Sequence, residues 1–237
     1  MTRDTIKYMA VFAMLLNHMG MILLKPPLSE IFIDIGYFTA VVMCRFLVEG
    51  YQYTRSKKQY GLRLLLFALL SQIPYSLAFP ENRILSVREL NMLFTLFFCF
   101  LLIHVYYTCF EPEKRGLYMS LLVLACFFCD WSCMAPAFVF LFLWAGDKRE
   151  KEYKAWIFSV LIIVVPHFLY YLDNCSGPEL LWHTLGTAAG PAAAAVCMLF
   201  LYNGRKSERF PCFNKWFFYC FYPAHLLILG LLGQLTK

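Results

Sequence analysis

The sequence predicts an all-α fold: a polytopic transmembrane helical bundle of about nine membrane segments, two of them short, with a cytoplasmic N-terminus. Three observations predict it. Of 237 residues, 61% are hydrophobic and only 15% charged, far from the balance of a soluble domain. Apolar runs recur from Ile6 to near the C-terminus, each bounded by a short polar stretch. Lys and Arg concentrate in alternate polar stretches, the asymmetry that orients a chain in a membrane. We read one domain, 1–237, with no room for a separate soluble one.

The apolar segments are 6–24, 31–53, 61–79, 90–110, 117–129, 132–145, 153–172, 180–202 and 214–234. Seven approach the length of about 20 residues that crosses the hydrocarbon core, and two are clearly shorter. Those two could be one helix, 117–145, interrupted at Asp130-Trp131-Ser132. Charge decides against it. A single span would put Lys114 and Arg115 on the opposite side from Lys148, Arg149, Lys151 and Lys154, against the positive-inside rule. Two short helices keep both clusters cytoplasmic, with the Asp130 turn toward the outside. Arg3 and Lys7, then Arg55, Lys57, Lys58 and Arg63, then Arg205, Lys206, Arg209 and Lys215 fall on the same side. The other side holds only Lys25, Arg83, Arg88 and Lys237. The first segment is no signal peptide, since it is long for an h-region, carries His18 and lacks a convincing A-x-A site.

The net charge of +6 follows this topology, and nothing suggests nucleic-acid binding. The ten cysteines lie mostly inside apolar segments at irregular spacing, as small hydrophobes do. Cys126, Cys129 and Cys133 form a C-x-x-C-x-x-x-C run, but no His or fourth Cys follows at ligand spacing, so no metal is expected. Cys175 and the turn cysteines could oxidise outside. The run Ala188-Ala189-Gly190-Pro191 suits close helix packing, and Pro191 should kink the eighth span.

Ionisable residues inside apolar spans are expensive and point to function. Eleven residues return a helix to one face, so Lys7 and His18 share a face about 16 Å apart. His18 lies roughly 18 Å above the cytoplasmic end of its helix, and His225, two residues after Pro223, roughly 14 Å into the last one. Arg45 and Glu49 are one turn apart on one face of the second helix, with Glu49 at the level of Lys7. Gln72 and Asn91 fall in the outer halves of the third and fourth segments, and Asp34 and Asp130 near the outer face. His104, His167 and His183 lack comparable company and read as structural. A snorkelling Lys7, a helix-bonded His18 and a purely structural Arg45–Glu49 pair are the bland alternatives.

A neutral imidazole near mid-membrane can serve as general base on a hydroxyl or amine, or it can relay protons. A basic cytoplasmic funnel suits an acyl-CoA, whose phosphates need cations while its pantetheine arm reaches inward. Together they suggest acyl transfer to an acceptor arriving from outside. A proton-coupled transporter or channel would use the same His and ion pair. A non-catalytic scaffold is a third possibility.

Several blocks then resemble one family. Leu47-Val48-Glu49-Gly50-Tyr51 with Tyr53-Thr54-Arg55, and Ser71-Gln72-Ile73-Pro74-Tyr75, are similar to signatures of the TraX family. So are Asn91 through Leu96, and Phe221-Tyr222-Pro223-Ala224-His225-Leu226. That family is known for membrane acetylases acting on the N-terminus of conjugative pilin, and it resembles the broader acyltransferase-three family. There a basic residue, ten intervening residues and a catalytic His mark the first helix, a spacing that Lys7 and His18 match. Two departures stand out. Asn17 replaces the Asp common before that His, and Tyr37 and Val41 stand where an Arg and a Pro are usual in the second helix, which here carries Arg45.

The resemblance implies an acetyl-CoA-dependent acyltransferase, multi-pass in the cytoplasmic or inner cell membrane. His18 would be the general base, with His225 and Asn91 lining the reaction chamber. Lys7, Arg45, Arg55 and Lys58 would hold the CoA phosphates, with Glu49 fixing Lys7 or Arg45. The expected partners are the lipid bilayer, acyl-CoA and an amine or sugar-hydroxyl acceptor, a pilin-like peptide N-terminus among the candidates.

Overall fold

The computed structural model describes the chain except Asn82, Leu85, Ser86, Ser176 and residues 208–210 and 236–237, and except the side chains of residues 83, 84, 87, 88, 211, 212 and 215. Arg209 and Lys237, and the side chains of Arg83, Arg88 and Lys215, thus lie outside the described residues.

The helices are α1 (Arg3–Leu23), α2 (Leu28–Tyr53), α3 (Lys57–Ala78), α4 (Met92–Thr108), α5 (Pro112–Cys126), α6 (Met134–Ala145), α7 (Arg149–Asn174), α8 (Pro178–Val196) and α9 (Pro211–Leu235). A π-helical turn, Cys197–Leu201, continues α8 beyond Pro191. Among the described residues the one sheet is an antiparallel pair of two-residue strands, β1 (Arg83–Ile84) with β2 (Val87–Arg88), between α3 and α4. All nine expected segments are helices.

Six described helices are long and apolar enough to cross a membrane: α1, α2, α3, α7, α8 with its π turn, and α9 from Trp216. This is a multi-pass membrane protein. Ile73 and Phe12 are 78% and 61% exposed, a load of bare apolar surface that suits lipid rather than water. One expectation needs correcting. The fourth segment, read as 90–110, is a 17-residue helix, so it joins the short ones. Leu90 is apolar but belongs to a parallel bridge with Cys129, and Asn91 caps the helix.

The starts of the helices follow from capping chemistry. Thr2 accepts the Thr5 N–H at the head of α1, Ser56 accepts the Gln59 N–H before α3, and Pro112 and Pro178 open α5 and α8. Lys57 donates to the carbonyls of Tyr51 and Thr54 and lies over the Tyr51 ring, which closes the C-terminal end of α2. Between α5 and α6 the chain breaks at Trp131, which takes φ 62°. The region 117–145 is therefore two helices, as the charge pattern requires.

Two compact units emerge. Unit 1 comprises residues 1–43 and 144–218, and unit 2 residues 44–143 and 219–237. Within unit 1, α1 and α2 approach through small residues: a Cβ on Gly36 would meet the Asn17 side chain at 2.3 Å, and one on Gly20 the Ser29 carbonyl at 2.9 Å. Asn17 Nδ2 donates to the Ile33 carbonyl at 3.0 Å. Its amide is thus spent on α2 backbone. Gly190 of α8 lies against the α2 backbone, where a Cβ would meet the Asp34 carbonyl at 2.3 Å. Within unit 2, Ala68, Cys99, Leu102, Ile103, Phe138, Val139 and Leu226 are buried in the core.

Candidate functional site

Unit 2 gathers a polar cluster at the α3–α4 connection. Asn91 is fully buried and is the N-cap of α4, its Oδ1 accepting the Leu93 N–H at 3.0 Å. Its Nδ2 donates to the Ala68 carbonyl and to Gln72 Oε1, both at 2.8 Å, tying α4 to α3. Gln72 Nε2 donates in turn to the Glu89 carbonyl at 2.9 Å, and Tyr75 donates its hydroxyl to Glu89 Oε2 at 2.7 Å. Asn91 thus orders the backbone that presents Glu89.

Asp130 completes the cluster from the α5–α6 turn. Its backbone N–H donates to the Leu90 carbonyl at 2.8 Å, and its own carbonyl accepts from Thr95. Loss of hydration and then the nearby Glu89 charge push its carboxyl up to about 7, against a hydrogen bond from the Trp131 backbone. A carboxyl titrating there can give or take a proton at neutral pH. The buried Tyr222 lies within reach of the Asp130 and Glu89 charges, and its hydroxyl accepts the Met92 N–H at 3.3 Å.

One turn along α9, His225 is buried, stacked on Phe221 at 4.9 Å between centroids and edge-on to Tyr222 at 5.6 Å. Its Nδ1 is 2.8 Å from the Phe221 carbonyl, which can only accept. The proton therefore sits on Nδ1, and the lone pair of the neutral ring on Nε2. Pro223 lies inside the same helix. Asn91, Tyr222 and His225 are thus brought into one unit with Glu89, Asp130 and Tyr75.

The remaining predicted residues divide as follows. Arg45 and Glu49 face each other within unit 2 at 3.8 Å, and the Arg45 guanidinium lies 5.9 Å from the Phe142 ring centre. Arg55 and Lys58 are exposed around the α2–α3 turn, and only Lys57 beside them is committed to carbonyls there. In unit 1, His18 is buried on α1, and Lys7 on the same helix places its ammonium 5.2 Å from the Phe218 ring centre.

Unit 1 also holds a cavity of about 230 Å³ lined by Thr2, Asp4, Thr5, Tyr8, Ser207, Phe213 and Asn214. Tyr8 donates to Asn214 Oδ1 at 2.6 Å and Ser207 N–H to Asp4 Oδ2 at 2.8 Å. Hydroxyls, an amide and a single carboxylate suit a neutral polar group, such as an amide arm, better than a phosphate. Deeper in the unit, Tyr37 donates to His167 Nε2 at 2.9 Å, while His167 Nδ1 meets the Ile163 carbonyl at 2.8 Å. His104 Nδ1 and the Tyr51 hydroxyl share a hydrogen bond of 2.8 Å. His183 does not fit the expectation of a histidine without company, because Glu30 Oε2 lies 3.6 Å from its Nδ1 and Tyr171 stacks on its ring.

Sequence reasoning missed Glu89 altogether and treated Asp130 only as a marker of the outer face. The signal available was position: Glu89 stands two residues before Asn91, and its partners Gln72 and Tyr75 lie in one of the quoted blocks.

A family model described as TraX protein matches residues 2–233. The chain is also similar to the probable fimbrial assembly protein FimC, serogroup H1, of Dichelobacter nodosus, being 27% identical over 236 residues that cover 94% of this chain and 92% of that protein. No solved structure matches the chain.

Proposed function

This chain belongs to the TraX family, and from that premise we propose that it is an integral membrane acyltransferase that moves an acyl group, acetyl in the first instance, from acyl-CoA to an amine or hydroxyl. The observation that carries this reading is the burial of His18 and of His225 inside apolar, membrane-length helices, where ionisable groups are expensive to keep. His18 is the general base. It takes the proton of the acceptor N–H or O–H as that atom attacks the thioester carbonyl. The tetrahedral adduct then expels the CoA thiolate, which recovers the proton as CoASH. Lys7 supplies positive charge for the phosphates in unit 1; Arg45, Arg55 and Lys58 are the candidate cations of unit 2, where Glu49 holds Arg45.

In unit 2, His225 Nε2 and Asp130 act on the acceptor side, where an amine arriving as ammonium must shed a proton before it can attack. Asn91 is a positioning residue, acting through Glu89 and the start of α4. The relative's fimbrial name makes a pilin-like peptide N-terminus the first acceptor to try. The membrane is the cytoplasmic or inner one, with the Lys57 and Lys148 ends of the helices facing the cytoplasm.

The test is release of free CoA from acetyl-CoA by the purified, detergent-solubilised protein with candidate amine acceptors, comparing wild type with His18→Ala. Release that His18→Ala abolishes supports the assignment. Substrate or proton flux into liposomes, with no CoA release under any acceptor, would replace it with a transporter.

A further inference from the structure

We propose that Cys175, Glu179 and His183 form a binding site for a divalent metal ion of the zinc type, fastening the end of α7 to the start of α8. One ligand atom from each of the three lies within 4.8 Å of the other two. Glu179 and His183 are four residues apart on α8 and so share a face, the spacing by which one helix offers two ligands. Cys175 ends α7, its N–H held by the Tyr171 carbonyl at 2.7 Å. Gly177 then takes φ +58°, which folds the chain back so that the thiol meets the face of α8.

The donor set selects the ion. A thiolate, an imidazole and one carboxylate favour zinc over magnesium or calcium, which take oxygen ligands. One thiolate and one carboxylate together neutralise a dication. Zinc bonds of about 2.0–2.3 Å imply ligand separations near 3.5 Å in a tetrahedron, so side-chain rotations of about 1 Å close the site.

Two neighbours support the arrangement independently of the three ligands. Glu30, in the first turn of α2, puts Oε2 3.6 Å from His183 Nδ1. The Tyr171 ring stacks on the imidazole at 4.4 Å, with 8° between the planes. A carboxylate beside a ligating histidine is the usual outer-shell orienter. The Cys175 thiol gives its proton to solvent on binding a dication. From the sequence Cys175 is a cysteine that could oxidise, and His183 reads as structural. C-x-x-x-E-x-x-x-H matches no common ligand spacing, so the turn at Gly177 had to be seen before the three residues formed a set.

The site is independent of acyl transfer, and its test is optical. The full-length, metal-free protein in detergent is titrated with Co²⁺ as a stand-in for Zn²⁺. One equivalent should produce a near-ultraviolet thiolate-to-cobalt band with visible absorption of a tetrahedral ion, and Zn²⁺ should bleach both. Cys175→Ser should remove the thiolate band, and Glu179→Gln and His183→Ala should each weaken binding at least tenfold. Zn²⁺ should also raise the thermal unfolding midpoint of the wild type but not of Glu179→Gln, a conservative change that keeps the fold. A thiolate band that survives Cys175→Ser would place the metal on another of the ten cysteines. No band and no zinc-dependent shift up to millimolar metal would equally overturn the proposal.

Discussion

Replacing Asn91 separates a three-way tie from an ordinary helix cap. The side chain does two jobs at once: Oδ1 caps α4, and Nδ2 bonds Ala68 and Gln72 of α3. Losing an N-cap to Ala costs about 1 kcal/mol. Each lost amide bond adds roughly 0.6–1 kcal/mol, the lower figure being the average for bonds between helices in a membrane. Neither acceptor is orphaned: Gln72 Oε1 keeps the Asn91 backbone N–H at 3.1 Å, and the Ala68 carbonyl lies inside α3, where the helix itself supplies an N–H four residues on. Asn91→Ala should therefore cost roughly 2–3 kcal/mol, a factor of about 30–150 in the unfolding equilibrium. Asn91→Asp is the decisive comparison. Asp is as good a cap as Asn, but it turns a carboxylate oxygen toward two other oxygens, so it should cost at least as much as Ala. Reversible unfolding in mixed detergent–SDS micelles, followed by circular dichroism, measures both. If Asn91→Asp matches wild type while Asn91→Ala loses only about 1 kcal/mol, the cap is the whole effect and the tie to α3 is refuted.

Asp130 gives a pH signature. Its folded value of about 7 lies above the ordinary 3.8, so its contribution to stability is fully present below about pH 4 and lost as pH rises through 7. Asp130→Asn, which mimics the protonated form, should raise the unfolding midpoint at pH 8 and leave it unchanged near pH 4; equal effects at both would deny the shift. Gly190→Ala should cost about 1–3 kcal/mol, since its Cβ meets the Asp34 carbonyl at 2.3 Å and the Phe38 backbone nitrogen at 3.0 Å. Gly186→Ala should cost less, because the nearest atom, Asp34 Oδ2 at 2.4 Å, ends a side chain that can rotate away. Thermal unfolding of the two variants should rank them in that order. Glu49→Gln leaves Arg45 without its carboxylate and should cost roughly 2 kcal/mol, less than a fully buried pair because the side chains are 19% and 10% exposed. Adding Arg45→Met should recover most of that loss in the same unfolding assay, while the affinity for acetyl-CoA stays low.

The helices of the described residues were legible because apolar runs bounded by charge are a one-dimensional signal, and the split at Asp130 followed from the basic clusters at 114–115 and 148–154 on either side of it. The fourth helix was read too long because Leu90 is apolar in sequence but pairs with Cys129 in space. Asn91 and His225 stood out as polar residues in apolar runs, while Tyr222 was legible only as part of a family-like block. Glu89 did not, since a carboxylate in a loop is ordinary until Gln72 and Tyr75 bond to it from 17 and 14 residues away. The same limit hid the company of His183: its stacking partner Tyr171 and its neighbour Glu30 belong to other helices, which only the fold brings to one place.

Equilibrium binding of acetyl-CoA to the purified wild-type protein, set beside Lys7→Ala, tests the central claim most directly because it needs no acceptor. Binding should be saturable and weaken with ionic strength, as phosphate contacts by Lys and Arg require, and Lys7→Ala should reduce it at least tenfold. A protein that is folded by circular dichroism yet binds no acetyl-CoA at millimolar concentration would contradict the claim.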